Sequence, residues 1–482
     1  MLTPQTTGLT VIERVNDMVE MLSGQDLINA GMRQGKWFGR ALAEANAILE
    51  RGGSFDDALE AARMFEPPAP LPLRSAEMAS FHVNIEAETP EETANVAAVT
   101  RSMAELMKTP VLRAGALMPD ACPAGPEGTI PVGGVAVSEA IHPGMHSADI
   151  CCSMAISVFP DVSPKALLDS VHAVTHFGPG GRPRGQQHRP PQEIFDRFDA
   201  NPLLHDLKSA AIEHFGTQGD GNHFAFVGTI RSTGETALVT HHGSRSPGAR
   251  LYTKGMKIAE GFRKLLSPET LPQNAWIPAD TKEGEQYWEA LQTIRAWTKG
   301  NHMLIHNMTA EHASARVSDR FWNEHNFVFR RSDGLFYHGK GATPAFDGWA
   351  HDATDLTLIP LNMAEPILIA RGKNAANGLG FSPHGAGRNF SRTQHRRQQA
   401  GRSEADIFAE ETKDIDARFY LGVTDISELP SAYKNAASVR SQIERYGLAD
   451  VVDEVMPFGC IMAGDWGANA PWRRKKQERR AE

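Results

Sequence analysis

The stretch "HPGMHSADICCSM", residues 142–154, packs two histidines, an aspartate and two adjacent cysteines into one short run. The chain has only four cysteines, Cys122, Cys151, Cys152 and Cys460, so a pair beside Asp149 asks for a reason. Either these thiols pack in a core, or some of these side chains hold a metal. Histidines recur in similar company elsewhere. "GDGNHF" offers Asn222 and His223, "VTHHGSRSPG" offers His241 and His242, "LIHNMTAEH" offers His306, and "SPHGAGRNFSR" offers His384 with Arg388 four residues on. One histidine alone is more often structural than a ligand. The repeated form, strand end or small residue, then histidine, then glycine or asparagine, is how a scaffold presents imidazoles from several loops to one centre. Imidazole suits borderline divalent metals, carboxylate suits harder ones, and a thiolate sulfur can bridge two ions. One Asp, one Cys and three His could hold two ions close together, a common device for phosphoryl chemistry.

The elements that must position such a set change texture along the chain. Residues 1–110 read as helical. "KWFGRALAEANAILERGG" has helical apolar spacing, "SFDDALEAARMF" opens on Ser54 as a cap, and "TPEETANVAAVTRSMAELMK" opens on Thr89 with Pro90 at the first helical position. "EPPAPLPLR", residues 66–74, is a linker or an edge crossing. From about 110, short β-branched runs such as "GTIPVGGVAV", "SMAISVF", "ALVTHH" and "PILIARG" alternate with turns and with helices like "YWEALQTIRAWTKGN". The fold class expected is a mixed α+β core, and residues 465–482 read as a basic, solvated tail.

Bulk composition narrows the classes. With 482 residues and 41% hydrophobic content the chain can build a large core. No apolar run approaches the roughly 18 residues a membrane helix needs, and the start lacks a signal-peptide layout. A cytoplasmic protein without a membrane partner is expected. The net charge of −9 excludes binding a polyanion through the whole surface. A local positive patch would be needed, and "RNFSRTQHRRQQAGR", residues 388–402, with five arginines, is the candidate.

From "MPDACPAGPEGTIPVGGVAV" through "ADICCSM", "GTQGDGNHF", "HHGSR", "HN", "KGAT" and "HGAGRNFSR" to "CIMAG" the sequence resembles the RtcB family of RNA-splicing ligases, over residues 110–464. The resemblance implies an RtcB-like fold with a central β-sandwich-like core surrounded by helices and long functional loops. It implies that Asp149, Cys152, His223, His241 and His306 bind two manganese ions, with Cys151 in the core. His384 would be the catalytic residue that takes a nucleotide from GTP, or another NTP, and Asn222 and Arg388 would contact phosphate. The implied reaction joins an RNA 3′-phosphate or 2′,3′-cyclic phosphate end to a 5′-hydroxyl end. A monomer is expected.

Departures from the family cluster where it approaches guanine. Its acidic residue after "NHF" is here Phe226, and its G-S-M-G-T loop is "LNMAE" with Asn362 for serine. Its near-terminal lysine is Ala463, the arginine of R-K-G-A is Gly339, and the histidine of M-P-D-x-H is absent from "MPDACPAG". Nucleotide contacts at Asn362 and Phe226 are therefore expected to differ. Three functions stay open: a divergent ligase or repair enzyme, a metal-dependent RNA-end phosphatase or phosphodiesterase, and a catalytically silent RNA-end binder. Retention of His384 and Arg388 favours the first, because hydrolysis needs no nucleotidyl acceptor.

Overall fold

A computed structural model describes residues 21–67, 69–75, 80–345 and 348–465. The chain divides into two compact units, residues 1–70 and 71–482, so the division falls inside the proline-rich 66–74 stretch rather than near 110. The first unit contains the helices Gly24–Asn29, Phe38–Glu50 and Phe55–Arg63 around Leu27, Ala41, Ala45, Leu49 and Ala58. Ser54 caps the third as its sequence predicts: its hydroxyl accepts from the Asp57 amide, and the Asp57 carboxylate answers it.

Residues 71–110 belong to the second unit and are not purely helical. His82–Val83 forms a short strand parallel to Leu112–Cys122. Pro90–Leu106 is helical, with Thr89 and Glu92 in a capping box and Pro90 in the first turn. Its buried Val99, Met103 and Leu106 join Leu112 and Leu117 of the strand in one cluster.

The second unit is α+β, with two main sheets. A five-stranded sheet orders His82–Val83, Leu112–Cys122, Val132–Ser138, Phe336–Lys340 and Asn326–Arg330. In the larger sheet, Ala449–Met462 lies beside Phe224–Ile230, then Thr236–His242, Ser153–Phe159 and Asp319–Glu324, all antiparallel. Helix Lys282–His312, started by Thr281, buries Tyr287, Leu291, Ile294, Trp297 and Ile305 against this framework. No helix among the described residues is long and apolar enough to cross a membrane. The basic tail falls at residues 466–482, outside the described residues.

The core is unusually rich in histidine, and burial sets its response to acid. Burial holds His142, His241 and His306 down at about 3, and His146 and His214 at about 4. The unfolded chain binds protons near 6.5 at these positions. Between about pH 6.5 and 3 the unfolded state therefore holds more protons, so stability is complete above that window and falls as pH drops through it. Urea midpoints of the chelator-treated protein at pH 8, 6 and 4.5 are expected to fall monotonically. A flat midpoint from pH 8 to 4.5 would contradict this account.

Candidate metal centre and adjoining cavity

Four consecutive strands of the larger sheet deliver their ends to one edge. His223 immediately precedes Phe224–Ile230, His241 is the penultimate residue of Thr236–His242, Cys152 precedes Ser153–Phe159, and His325 follows Asp319–Glu324. Because these neighbours are antiparallel, strand starts and strand finishes meet there. Cys152 Sγ lies 3.2 Å from His241 Nε2 and 3.5 Å from His223 Nε2. His223 Nε2 is 3.0 Å from Asp149 Oδ2, and His241 Nε2 is 3.1 Å from His325 Nε2. Two groups of metal-ligand type result, Asp149–Cys152–His223 and Cys152–His241–His325, sharing the cysteine.

The turn carrying Asp149 and Cys152 is strained. Ser147 and Cys151 adopt φ of 70° and 55°, a region costing non-glycine residues on the order of 1–3 kcal/mol. That twist turns Cys151 fully into the core while Cys152 faces the histidines. Two backbone bonds tie the turn to the His325 loop: Cys151 N–H donates to Asn326 O at 2.7 Å, and His325 N–H to Cys152 O at 2.8 Å.

The charges suit a cation. Burial would raise the Asp149 carboxyl, but His223, the Cys152 thiol and Arg245 together outweigh it and hold the group at about 2. Burial pushes His241 down to about 3 and His325 well below the ordinary value, so both rings keep a lone pair for a ligand. Burial also pushes the Cys152 thiol well up, so this thiol needs a cation beside it to ionise. A carboxylate, a thiol and three converging imidazoles fit divalent ions.

His306, expected among the ligands, is not brought to this edge. It lies inside helix Lys282–His312 behind the sheet, with Nδ1 on Ser157 Oγ and Nε2 on Thr240 Oγ1, each at 2.7 Å. Both ring nitrogens are already engaged. His325 occupies the place instead, and it is a residue that sequence reasoning missed. The signal was present: the sequence holds two His–Asn pairs, 306–307 and 325–326, and only the second closes a short strand.

His384 sits beside the cluster, its ring 4.8 Å from that of His325. The buried Asp120 carboxylate lies 2.6 Å from His384 Nδ1 and also accepts the His384 backbone N–H. With Nδ1–H donated to Asp120, Nε2 carries the free lone pair. His384 opens into a cavity of about 250 Å³ that Asn222, Asn362, Phe226 and Arg388 also line. Its apolar wall is Phe224, Phe226, Met363, Ile367, Cys460 and Met462, with Phe226 directly opposite Cys460 and Phe224 opposite Met462 across the paired strands.

Several residues singled out from sequence have other settings. Ala463, just past the end of strand Ala449–Met462, packs in the cluster holding Ile461 and Leu168 rather than at the cavity. A β-carbon at Gly339 would meet the Ala342 carbonyl oxygen at 2.6 Å, so that strand position has no room for a side chain. Asn362 Oδ1 accepts from the Ala364 amide. Arg388 donates to Ser427 O and to buried Glu428, both at 2.6 Å, and stacks 4.4 Å over Tyr433. The arginines of 388–402 are largely neutralised: Arg392 pairs with the same Glu428, Arg396 with Asp425 and Asp465, and Arg402 with Glu410. Arg397 is exposed.

Comparison with known proteins gives the relatives of this arrangement. A family model described as "tRNA-splicing ligase RtcB" matches residues 187–463, more than half of the chain. The tRNA-splicing ligase RtcB of Archaeoglobus fulgidus is 28% identical over 284 residues, 51% of this chain and 58% of that protein. That of Aeropyrum pernix is 25% identical over 320 residues, 58% of this chain and 66% of its own length. The RNA-splicing ligase RtcB of Mycobacterium bovis is 24% identical over 297 residues, 55% of this chain and 68% of its own. The chain thus spans less than two thirds of the first two relatives.

Proposed function

This chain belongs to the RtcB family, and on that footing we propose that it is a metal-dependent RNA ligase. In this reading it joins an RNA 3′-phosphate or 2′,3′-cyclic phosphate end to a 5′-hydroxyl end, through a nucleotide carried on His384. The observation that carries the proposal is the seat of His384, fixed by Asp120 with Nε2 free, between the ligand cluster and the cavity. Nε2 attacks the α-phosphorus of an NTP, forming the N–P bond while the bond to pyrophosphate breaks. The nucleotidyl group then passes to the RNA 3′-phosphate, and the 5′-hydroxyl displaces the nucleoside monophosphate. Two divalent ions, manganese by family likeness, held by Asp149, Cys152, His223, His241 and His325, would neutralise charge on the phosphate oxygens. Arg388, held over Tyr433, and Asn222 at the cavity wall present donors to phosphate. A cytoplasmic setting and a monomer go with this reading.

One observation favours a second reading. Glu428 offsets the charge that Arg388 and Arg392 bring to the cavity mouth, leaving less attraction for a triphosphate and more scope for a phosphatase or phosphodiesterase of RNA ends. Intact-mass measurement after incubation with manganese and each NTP separates the two. A nucleotide-sized gain supports the ligase. No gain, together with phosphate release from 3′-phosphorylated RNA, supports the hydrolase.

The cavity wall also bears on which nucleotide is used. A guanine read by an acidic side chain leaves a buried group unpaired when the base is wrong, a penalty of roughly 10⁴. Phe226 accepts no hydrogen bond, and its neighbours Cys460, Met462 and Ile367 add only apolar surface. GTP is expected to be favoured over ATP by less than about tenfold, about 1.4 kcal/mol. Competition of ATP, CTP and UTP against labelled GTP for adduct formation checks this, and strict GTP dependence would refute it.

A further inference from the structure

Directly behind the ligand cluster a chain of neutral side chains runs through the core with every link within hydrogen-bond distance. Ser157 Oγ meets His306 Nδ1 at 2.7 Å, His306 Nε2 meets Thr240 Oγ1 at 2.7 Å, and Thr240 Oγ1 meets His302 Nδ1 at 2.7 Å. His302 Nε2 meets Ser153 Oγ at 3.0 Å, and Ser153 Oγ lies 3.0 Å from the Cys151 carbonyl oxygen. All five side chains are fully buried.

Proton counting gives this chain one direction. Two carbonyls face the Ser153 hydroxyl, Cys151 O at 3.0 Å and His242 O at 3.4 Å. Carbonyls only accept, so its single proton goes to them, chiefly to the nearer Cys151 O, and Ser153 accepts from His302 Nε2–H. His302 Nδ1 then accepts from Thr240 O–H. Thr240, its proton used, accepts from His306 Nε2–H, and His306 Nδ1 accepts from Ser157 O–H. Both rings are therefore neutral Nε2–H tautomers. An imidazolium at His302 would reverse the bonds beyond it, through Thr240 and His306 to Ser157, and it would put a full charge in a fully buried ring with no carboxylate among its partners. Burial, which drives both rings to low pKa, agrees.

The chain ends on the carbonyl of Cys151, the residue at φ 55° whose peptide leads into Cys152. The N–H of the same residue is held by Asn326 O, next to His325. We propose that this directed chain from Ser157 to the Cys151 carbonyl is a positioning device, locking the strained turn so that Cys152 and His325 meet a metal pair at fixed geometry. The proposal rests on the metal-site reading above. Thr240 is the central link, since its hydroxyl serves both histidines while the next residue, His241, points to the cluster.

The test compares Thr240→Val, which keeps shape and removes the hydroxyl, with Thr240→Ser, which restores it, in the full chain. Co²⁺ titration is followed through the thiolate-to-cobalt band that Cys152→Ser abolishes, with circular dichroism as the folding control. Thr240→Val is expected to weaken Co²⁺ binding about tenfold and shift the cobalt spectrum, while Thr240→Ser stays within about twofold. Nitrogen-15 NMR of the unmutated chain is expected to show His302 and His306 protonated at Nε2 and bare at Nδ1. Unchanged cobalt affinity and spectrum in a folded Thr240→Val protein, or Nδ1–H on either ring, would overturn the proposal alone. Absence of the thiolate band in the unmutated protein would overturn the metal-site reading and the proposal together.

Discussion

His384→Ala is expected to carry no labelled nucleotide after incubation with manganese and NTP, a loss of more than about 10³-fold. The reason is positional as much as chemical. His384 combines an imidazole at the cavity wall with a buried carboxylate 2.6 Å from Nδ1, and in the neutral ring that contact places the proton on Nδ1 and the lone pair on Nε2, the nitrogen proposed to attack. Asp120→Asn therefore makes a sharper partner experiment. An amide can present N–H to Nδ1, which moves the ring proton to Nε2 and blocks attack while leaving shape intact. Adduct formation in Asp120→Asn is expected to slow by about 10²- to 10⁴-fold, the scale seen when a histidine is held in the wrong tautomer. The normal adduct should be acid-labile, as P–N bonds are. An acid-labile adduct persisting in His384→Ala would place the nucleotide elsewhere, with Lys340, lowered by burial to about 8, the first residue to examine.

How far the sequence reached depended on the range of the interactions involved. Caps at Ser54 and Thr89 are local, made by a residue three positions away, and both were legible. So was the position of His241 at a strand end, because the run "ALVTHH" is apolar and β-branched, whereas His223 was read only as following a glycine turn. His306 was misleading because a His–Asn pair looks alike in a helix and in a loop. What separates the two is its frame: His302 and His306 lie four apart on one face of a long helix and make their bonds there. The positive patch at 388–402 was read from arginines alone. The carboxylates that offset them, Glu428, Asp425 and Asp465, are distant in sequence and come close only through tertiary packing. Ala463, just past the strand end at Met462, packs in the cluster of Ile461 and Leu168 while Met462 lines the cavity. The division at 70/71 was hidden because the pairing of His82–Val83 with Ala116 and Leu117 is non-local.

His325→Ala is expected to lower the manganese content from two ions per chain towards one, with the affinity for the lost ion down about 100-fold or more. Loss of a ligand should cost more than the roughly 10- to 100-fold seen on loss of an outer partner, and 100-fold is about 2.7 kcal/mol. The two ligand groups share only Cys152, so the effects should differ by residue. His325→Ala strips one ion of a ligand and leaves Asp149, Cys152 and His223 intact for the other. Cys152→Ser touches both ions and should cost more than either histidine, whereas Cys151→Ser, buried on the far side of the turn, should keep both. His306→Gln should keep two ions with affinities lowered by about tenfold at most, since His306 acts only through the strands it braces. Metal analysis after exhaustive dialysis against known free manganese reads all four variants. Loss of an ion from His306→Gln with two ions retained in His325→Ala would reverse the assignment. The convergence of His325 on Cys152 and His241 argues against that outcome, because an imidazole with both nitrogens already engaged would have to abandon two hydrogen bonds and cross a sheet to reach the ion.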